Sequence, residues 1–338
     1  MARHPFISSG RRSSRSIRRT YIISALLVIA VVVAFIYRSS GKNEAGTFEP
    51  LPDANVVRET SPLVDVPPEP NLSDITPEPT TDPNPEATAL IKEAMALVNS
   101  KPAKIIEARG VLNDILLMPM TEQQRAFVKN RLSELADRWL FSETVFPQDN
   151  LCSSYRVKSG DLLSTIGKQF KVPHEILMQI NGIRRPEVLR AGDTIKVING
   201  PFHAKVYLST FTVDLFLQNN TFVKSFRIGV GRPGKDTPTG QWRVKQDGKL
   251  IKPPWPDPVS RKVLHYGDEG YALGSRWIGL EGLKGDAKGR TGIGIHGTEE
   301  PETIGTESSR GCIRLHDSDV IFVYNLLVPV HSLVEVVE

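Results

Sequence analysis

The chain has 338 residues, 40% of them hydrophobic and 24% charged, which is long enough for two or three folded units. Its formal charge of +4 is unevenly spread: residues 1–42 carry eight Arg and Lys and no acid, whereas residues 43–86 carry ten acids and only Arg58 as a base. Nothing in this balance supports a nucleic-acid partner.

Residues 21–37 read YIISALLVIAVVVAFIY, seventeen residues without a charge. At ~1.5 Å per residue such a helix just crosses a bilayer core. Six arginines precede the run and only Arg38 and Lys42 follow it closely, so the positive-inside bias places the N-terminus in the cytoplasm. Residues 1–42 are therefore expected to be a basic cytoplasmic tail and a single-pass anchor in the cytoplasmic (inner) membrane, with the rest of the chain extracytoplasmic or periplasmic. A cleaved signal peptide is the competing reading, for which a shorter apolar run and a small-x-small cleavage site are expected. Residues 43–86 contain ten prolines beside their ten acids. Too little apolar surface is available there to offset chain entropy, which predicts a disordered linker. Fully extended, it reaches on the order of 100 Å at ~3.1 Å per residue.

Helical spacing begins at residue 87. Ala87, Leu90, Ile91, Ala94, Leu97 and Val98 form one apolar stripe, and Ile105, Ala108, Leu112 and Ile115 a second. A third helix starts after Thr121, with Gln124 three residues on completing a capping box, and continues through Val128, Leu132, Leu135 and Trp139. Residues 87–148 read as a small α-helical spacer in which Glu107 and Arg109 are ordinary solvated charges.

Residues 153–199 change pattern again. Tyr155 and Val157 alternate as in a strand, Ser159-Gly160-Asp161 is a turn, residues 162–170 have helical spacing, and Ile195 and Val197 alternate after an Ala191-Gly192-Asp193 turn. The order is βααβ. Tyr155, Gly160-Asp161, Ile166, Phe170, Leu177, Asn181, Leu189 and Gly192 together resemble the LysM family. That resemblance implies binding of glycans such as peptidoglycan by a separable module, on the loops around Gly160, Asp161, Asn181 and Gly182.

Residues 202–338 are rich in alternating segments punctuated by Asn219-Asn220 and glycine-proline turns, which predicts a mostly β domain. Within it, Ile293 and Ile295 occupy one face of a strand and His296 the other. Sixteen residues after His296 stands Cys312, within Ser309-Arg310-Gly311-Cys312-Ile313-Arg314-Leu315. A thiol with a reference pKa of ~8.5 is a weak nucleophile until a base takes its proton, and His296 can supply that base. Gly311 permits a tight turn ahead of Cys312, leaving backbone N–H groups to face a developing oxyanion. If the segment after Cys312 is extended, Arg314 projects from the same face as the thiol, near the thiolate or a substrate carboxylate. Two cysteines outside the cytoplasm would by default pair, but these surroundings argue that Cys152 and Cys312 stay free.

His296-Gly297, the Ser309 to Leu315 run and Thr237-Pro238-Thr239-Gly240 upstream resemble the catalytic domain of L,D-transpeptidases, the YkuD family. The resemblance implies that Cys312 attacks the carbonyl of the third residue of a peptidoglycan tetrapeptide stem and D-alanine leaves. A neighbouring amine then resolves the thioester into a 3→3 cross-link. It further implies His296 as base, oriented by the carbonyl of Gly297, and an oxyanion hole built from the backbone at Gly311 and Cys312 with Arg310. Ser309 and Arg314 become candidate substrate contacts. Many members carry a second His where this chain has Arg310. An L,D-carboxypeptidase, attachment of a protein to peptidoglycan by the same thioester, and a non-catalytic LysM wall-binding protein are the alternatives. No cofactor is implied, and His265, His316 and Asp317 with His296 fit no standard zinc spacing. Asp317 is expected to cap a helix through Val320, Val323, Leu326 and Leu327. Trp255, Tyr271 and Trp277 could line a substrate groove or pack in the core.

Overall fold

The computed structural model describes residue 77 and residues 79–338; the apolar run at 21–37 and most of the proline-rich stretch lie outside the described residues. No helix among the described residues is long and apolar enough to cross a membrane.

Helix α1 (Pro85–Asn99) begins two residues ahead of the apolar stripe. Asn84 is its N-cap, the side-chain oxygen accepting the amides of Glu86 (2.9 Å) and Ala87 (3.2 Å), and proline at the first helical position needs no partner for a missing N–H. α2 (Ile105–Ile115) and α3 (Glu122–Trp139) follow, and α3 carries the expected capping box between Thr121 and Gln124. Gln124 also donates to Asn84 O (2.9 Å), so one side chain ties the starts of α1 and α3 together. Arg109 is not solvated. It is buried, ion-paired with Asp149 at 2.9 Å and lies over the Trp139 ring, 4.2 Å from its centroid. Burial leaves a guanidinium little alternative to such a partner, because an unpaired charge there costs several kcal/mol.

The next unit pairs β1 (Cys152–Arg156) antiparallel with β2 (Thr194–Ile198) around α4 (Leu163–Phe170) and α5 (His174–Ile180). Tyr155 and Phe170 meet edge to face with centroids 5.7 Å apart, as aromatic quadrupoles favour. This unit is not a detachable bead. Lys196 is 2% exposed, and its ammonium donates to the carbonyls of Trp139, Ser142 (2.9 Å) and Thr144 (2.7 Å), the last turn of α3 and the segment after it. At the other side Gly200 N donates to Phe170 O (2.9 Å), and a Cβ on Gly200 would stand 2.3 Å from Lys171 O. One continuous apolar core runs through the helices, this unit and the β domain.

The β domain is an eight-stranded mixed sheet built from β3 (His203–Tyr207), β4 (Thr212–Leu217), β5 (Thr221–Arg227), β7 (Gly240–Ile251), β10 (Arg276–Lys284), β11 (Gly294–His296), β13 (Ile313–Arg314) and β14 (Leu333–Val337). Their order is β13-β11-β10-β7-β14-β3-β4-β5, with β11–β13 and β14–β3 parallel. The short β6 (Val230–Gly231) and β12 (Glu307–Ser309) pair parallel beside it. At the β5 end an exposed edge would invite pairing with another chain. The helices cover it instead: Asn113 Oδ1 accepts the amide of Phe222 (2.7 Å), and Lys129 of α3 pairs with the fully buried Asp214 (2.6 Å). Between β7 and β10 the chain leaves the sheet and forms a small hairpin of β8 (Trp255–Pro256) and β9 (Val263–Leu264). Helix α6 (Asp317–Tyr324) follows β13, and its Phe322 packs against Phe141 and Phe226.

Candidate active site

β11 and β13 run parallel with Ile295 opposite Ile313 and His296 opposite Arg314. Side chains at equal register in a parallel pair share a face. His296 and Arg314 therefore project together, and Cys312, one alternation before Arg314, projects on their side next to Gly294. Gly294 has no side chain to fill that space, and a Cβ there would stand 2.7 Å from the Trp277 ring. Both Cys312 and His296 open onto a cavity of about 680 Å³. Its roof is the excursion 253–258, Pro-Pro-Trp-Pro-Asp-Pro, together with Ala272 and Leu273.

His296 is 4% exposed. Its Nδ1 lies 2.6 Å from Gly297 O. A carbonyl can only accept, so Nδ1 carries the proton and Nε2 keeps its lone pair for the cavity. The Trp277 ring, directly across the β10–β11 ladder, stacks on the imidazole at 5.7 Å and 20°. Burial pushes His296 down to about 4, the Gly297 hydrogen bond opposing and the Arg314 charge adding to the shift. Burial also raises the Cys312 thiol, with a backbone hydrogen bond at Gly294 and the charge of Arg314 pulling the other way. Its Sγ stands 3.9 Å from Gly292 O. Both shifts favour the uncharged forms, thiol and imidazole.

Gly311 adopts φ +108°, a region closed to most side chains, and a Cβ would sit 3.0 Å from Ile293 Cδ1. Its N–H does not face the cavity as a free oxyanion donor, because it donates to Ser309 Oγ (3.1 Å). The Ser309 hydroxyl in turn donates to Cys312 O (2.6 Å) and is 2% exposed. Ser309 therefore braces the nucleophile loop, and its hydroxyl proton is not offered to substrate. Among the described residues no hydrogen bond engages the amides of Arg310 or Cys312, which remain the donors at this turn. Arg314 lines the cavity with its guanidinium ion-paired to Glu300 at 3.0 Å, a partner that spacing along the chain does not reveal. Arg310 lines the same cavity and is exposed.

Gly297 is needed for close approach: a Cβ there would stand 2.4 Å from Asp317 Oδ1. That oxygen accepts the amide of Ser275 at 2.7 Å. Asp317 therefore does not cap α6, whose N-cap is His316 without a side-chain bond. It clamps the start of β10 against the very residue whose carbonyl orients His296. Of the three aromatic candidates, Trp255 and Trp277 line the cavity, whereas Tyr271 is 2% exposed and donates to Pro253 O (2.7 Å), holding the roof from within. Cys152 and Cys312 are both free.

In the LysM-like unit, Gly160 sits at φ +86° with open space beside it. The carboxylate of Asp161 accepts from Tyr155 OH (2.9 Å) and Lys158 N (2.8 Å). Asn181 donates to Leu177 O and Lys196 O and accepts from Lys196 N, which consumes its amide. Asp161 and Asn181 thus shape their loops, and both side chains are engaged within the chain.

Residues 201–336 match the family described as YkuD, L,D-transpeptidase catalytic domain, and residues 155–197 match the LysM domain. YkuD of Bacillus subtilis (strain 168) is 32% identical over 175 residues, spanning 50% of this chain and 89% of that protein. The chain belongs to the YkuD family of L,D-transpeptidases. YkuD of Bacillus licheniformis is 30% identical over 174 residues, 49% of this chain and 88% of that protein. ErfK/SrfK of Escherichia coli (strain K12) is 29% identical over 177 residues, 51% of this chain and 50% of that protein. Among solved structures, an L,D-transpeptidase from Mycobacterium tuberculosis H37Rv aligns with 18% identity and a TM-score of 0.32, covering 43% of this chain and 62% of that one. This transpeptidase is thus an acyl-transfer enzyme that carries its own wall-binding LysM domain.

Proposed function

We propose that this L,D-transpeptidase cross-links peptidoglycan stems 3→3, held to the wall by its LysM domain and to the cytoplasmic membrane by residues 21–37, with its catalytic domain on the outer side of that membrane. The observation that carries the reaction is that Cys312 and His296 share one sheet face and one cavity, the imidazole fixed by Gly297 O with Nε2 free. Cys312 Sγ attacks the carbonyl carbon of the third stem residue as its proton passes to His296 Nε2. Negative charge builds on the carbonyl oxygen, and the amides of Arg310 and Cys312, which no residue of the turn engages, stabilise it. Collapse breaks the amide bond, His296 returns the proton to the leaving D-alanine amine, and a thioester remains on Cys312. An amine of a neighbouring stem then attacks the thioester, gives up a proton to His296 and regenerates the thiol. The anchor and the topology rest on the uncharged run and on the arginine excess before it.

The test is intact-mass measurement after exposure to a carbapenem, whose strained lactam mimics the scissile amide. Wild type is expected to gain one drug mass, and Cys312→Ala none. An adduct on Cys152 instead, or sacculus cross-linking undiminished in Cys312→Ala, would overturn the assignment. For the anchor, the protein should remain with membranes through a high-salt wash, and a mature N-terminus near residue 43 would remove it.

A further inference from the structure

The cavity beside Cys312 carries a charge surplus that the acyl-transfer chemistry itself does not use. β6 and β12 run parallel with Ser309 opposite Gly231, and Arg232 N donates to Ser309 O at 3.0 Å. Arg232 and Arg310 are the next residue after each strand, one step beyond the Gly231–Ser309 pair, and both line the cavity. Neighbouring strands lie only ~4.8 Å apart, so two like charges that leave adjacent strand ends into one cavity repel. Among the described residues no carboxylate forms an ion pair with either of them. Of the two carboxylates on the cavity wall, Glu300 is paired with Arg314 at 3.0 Å. The other, Asp257, accepts the amides of Val259 (3.0 Å) and Ser260 (2.8 Å) and so holds its own turn. Its carboxyl is kept low first by the hydrogen bonds of Ser260 and Val259 and only last by the charge of Arg310. Among the described residues, neither the Arg232 nor the Arg310 guanidinium has an ion-pair partner.

We propose that Arg232 and Arg310 form a carboxylate clamp that makes the enzyme select acyl-donor stems bearing a free carboxylate next to the scissile bond. The proposal rests on the acyl-transfer reading of the Cys312 cavity. A carboxylate bridging two guanidiniums accepts several charge-assisted hydrogen bonds and removes the repulsion between the arginines in one step. Two carboxylates of a stem have this chemistry: the C-terminal one of the leaving residue and the side-chain one of a carboxylated diamino acid.

The full-length enzyme is assayed on three soluble tetrapeptide donors: one with both carboxylates free, one with the C-terminus amidated, and one with the diamino-acid carboxylate amidated. Wild type should lose about 10-fold to 100-fold in kcat/KM on one of the two amides, the range of a charge-assisted hydrogen bond. The amide that suffers identifies the carboxylate. Arg232→Gln and Arg310→Gln should each lose a similar factor on the free donor, and the double variant should no longer distinguish the free donor from that amide. Alkylation of Cys312 by uncharged iodoacetamide reports whether the nucleophile loop is intact in each variant. If a Gln variant loses alkylation, Arg232→Lys and Arg310→Lys take its place, and they should keep the sign of the preference while losing most of its size. Equal use of all three donors by wild type, or discrimination that survives at full size in the substituted enzymes, overturns the clamp. Failure of wild type to turn over any donor while Cys312 is still alkylated would instead remove the acyl-transfer reading, and the clamp with it.

Discussion

Cys152 stands where the spacer helices meet the LysM domain, 2% exposed, while Cys312 stands on the floor of a cavity in the β domain. Around Cys152 the charged groups are tied to fixed partners, although Asp149 Oδ2 and the Trp139 indole N–H have none. Asp149 takes Arg109 and the amide of Leu151, and Lys196 takes three carbonyls. The Cys152 thiol is pushed up to about 12 by burial, with Lys196 opposing and Asp149 reinforcing the shift. Around Cys312, Ser309 and Arg314 are engaged, but two groups keep something in reserve: His296 a lone pair, Arg310 an amide and a guanidinium. The difference lies in unused hydrogen-bonding capacity rather than in burial alone, since both thiols are raised by desolvation. A polar cluster sealed from solvent builds structure, and one with unused capacity facing a cavity is available for chemistry.

The sharpest way to break this contrast is to remove each sulfur in turn. Cys312→Ala should abolish turnover of a soluble tetrapeptide, whereas Cys152→Ala should turn over at the wild-type rate, because a buried thiol with no access to the cavity contributes only packing. Activity remaining in Cys312→Ala would mean that the contrast points at the wrong residue. Next in size is His296→Gln, which keeps a polar side chain but no base and should lose ~10²–10⁴-fold in kcat with KM little changed. A loss confined to KM would make His296 a binding group.

How much of this contrast was legible in sequence depends on how local each interaction is. His296-Gly297 and the Ser309 to Leu315 run declare themselves within a few residues, and the orienting bond from His296 to Gly297 O spans a single peptide. The capping box of Thr121 and Gln124 is equally local and reads correctly. Arg109 reads as solvated because its partner, Asp149, lies forty residues on. Asp317 reads as a helix cap because Asp before an apolar run usually is one, yet its carboxylate reaches back to Ser275. Arg232 and Arg310 become neighbours only through the parallel pairing of two very short strands, for which no periodicity exists to be read. The roof over the cavity left a signal, the proline cluster at 253–258, that fits no helix or central strand.

A third prediction tests the satisfied side of the contrast. Lys196→Met preserves most of the apolar stem but leaves the carbonyls of Trp139, Ser142 and Thr144 without their common donor. Unsatisfied buried groups cost about 1–3 kcal/mol each, so urea unfolding should show a loss of roughly 3 kcal/mol after partial relaxation. Deleting residues 153–199 should likewise destabilise the whole enzyme, since that unit shares the core with its neighbours. A deletion variant as stable as wild type would make the LysM domain an independent bead after all.

The smallest expected effect is a flat line. His296 acts as base only when unprotonated, and burial places it at about 4, so kcat/KM should be nearly constant from pH 8 down to pH 5. An imidazole at its reference value of about 6.5 would instead lose about 30-fold over that range. The raised Cys312 thiol adds no limb near neutrality, because in the neutral pair the proton moves only as the bond forms. Stability sets the lower bound of the experiment. His203, which accepts the amide of Leu333 through Nδ1, is also pushed down to about 4 by burial. For both histidines the unfolded chain binds protons first, near 6.5. Their contribution is therefore complete above about pH 7 and is lost as pH falls through 6.5 towards 4, by up to about 3 kcal/mol each. Rates below pH 5 must accordingly be normalised to the folded fraction, followed by near-UV circular dichroism. An acid limb centred near 6.5 in fully folded enzyme would show that His296 is exposed to solvent in the working state. A bell-shaped profile would show that the resting pair is a thiolate and an imidazolium, and the neutral pair derived from burial would have to be given up.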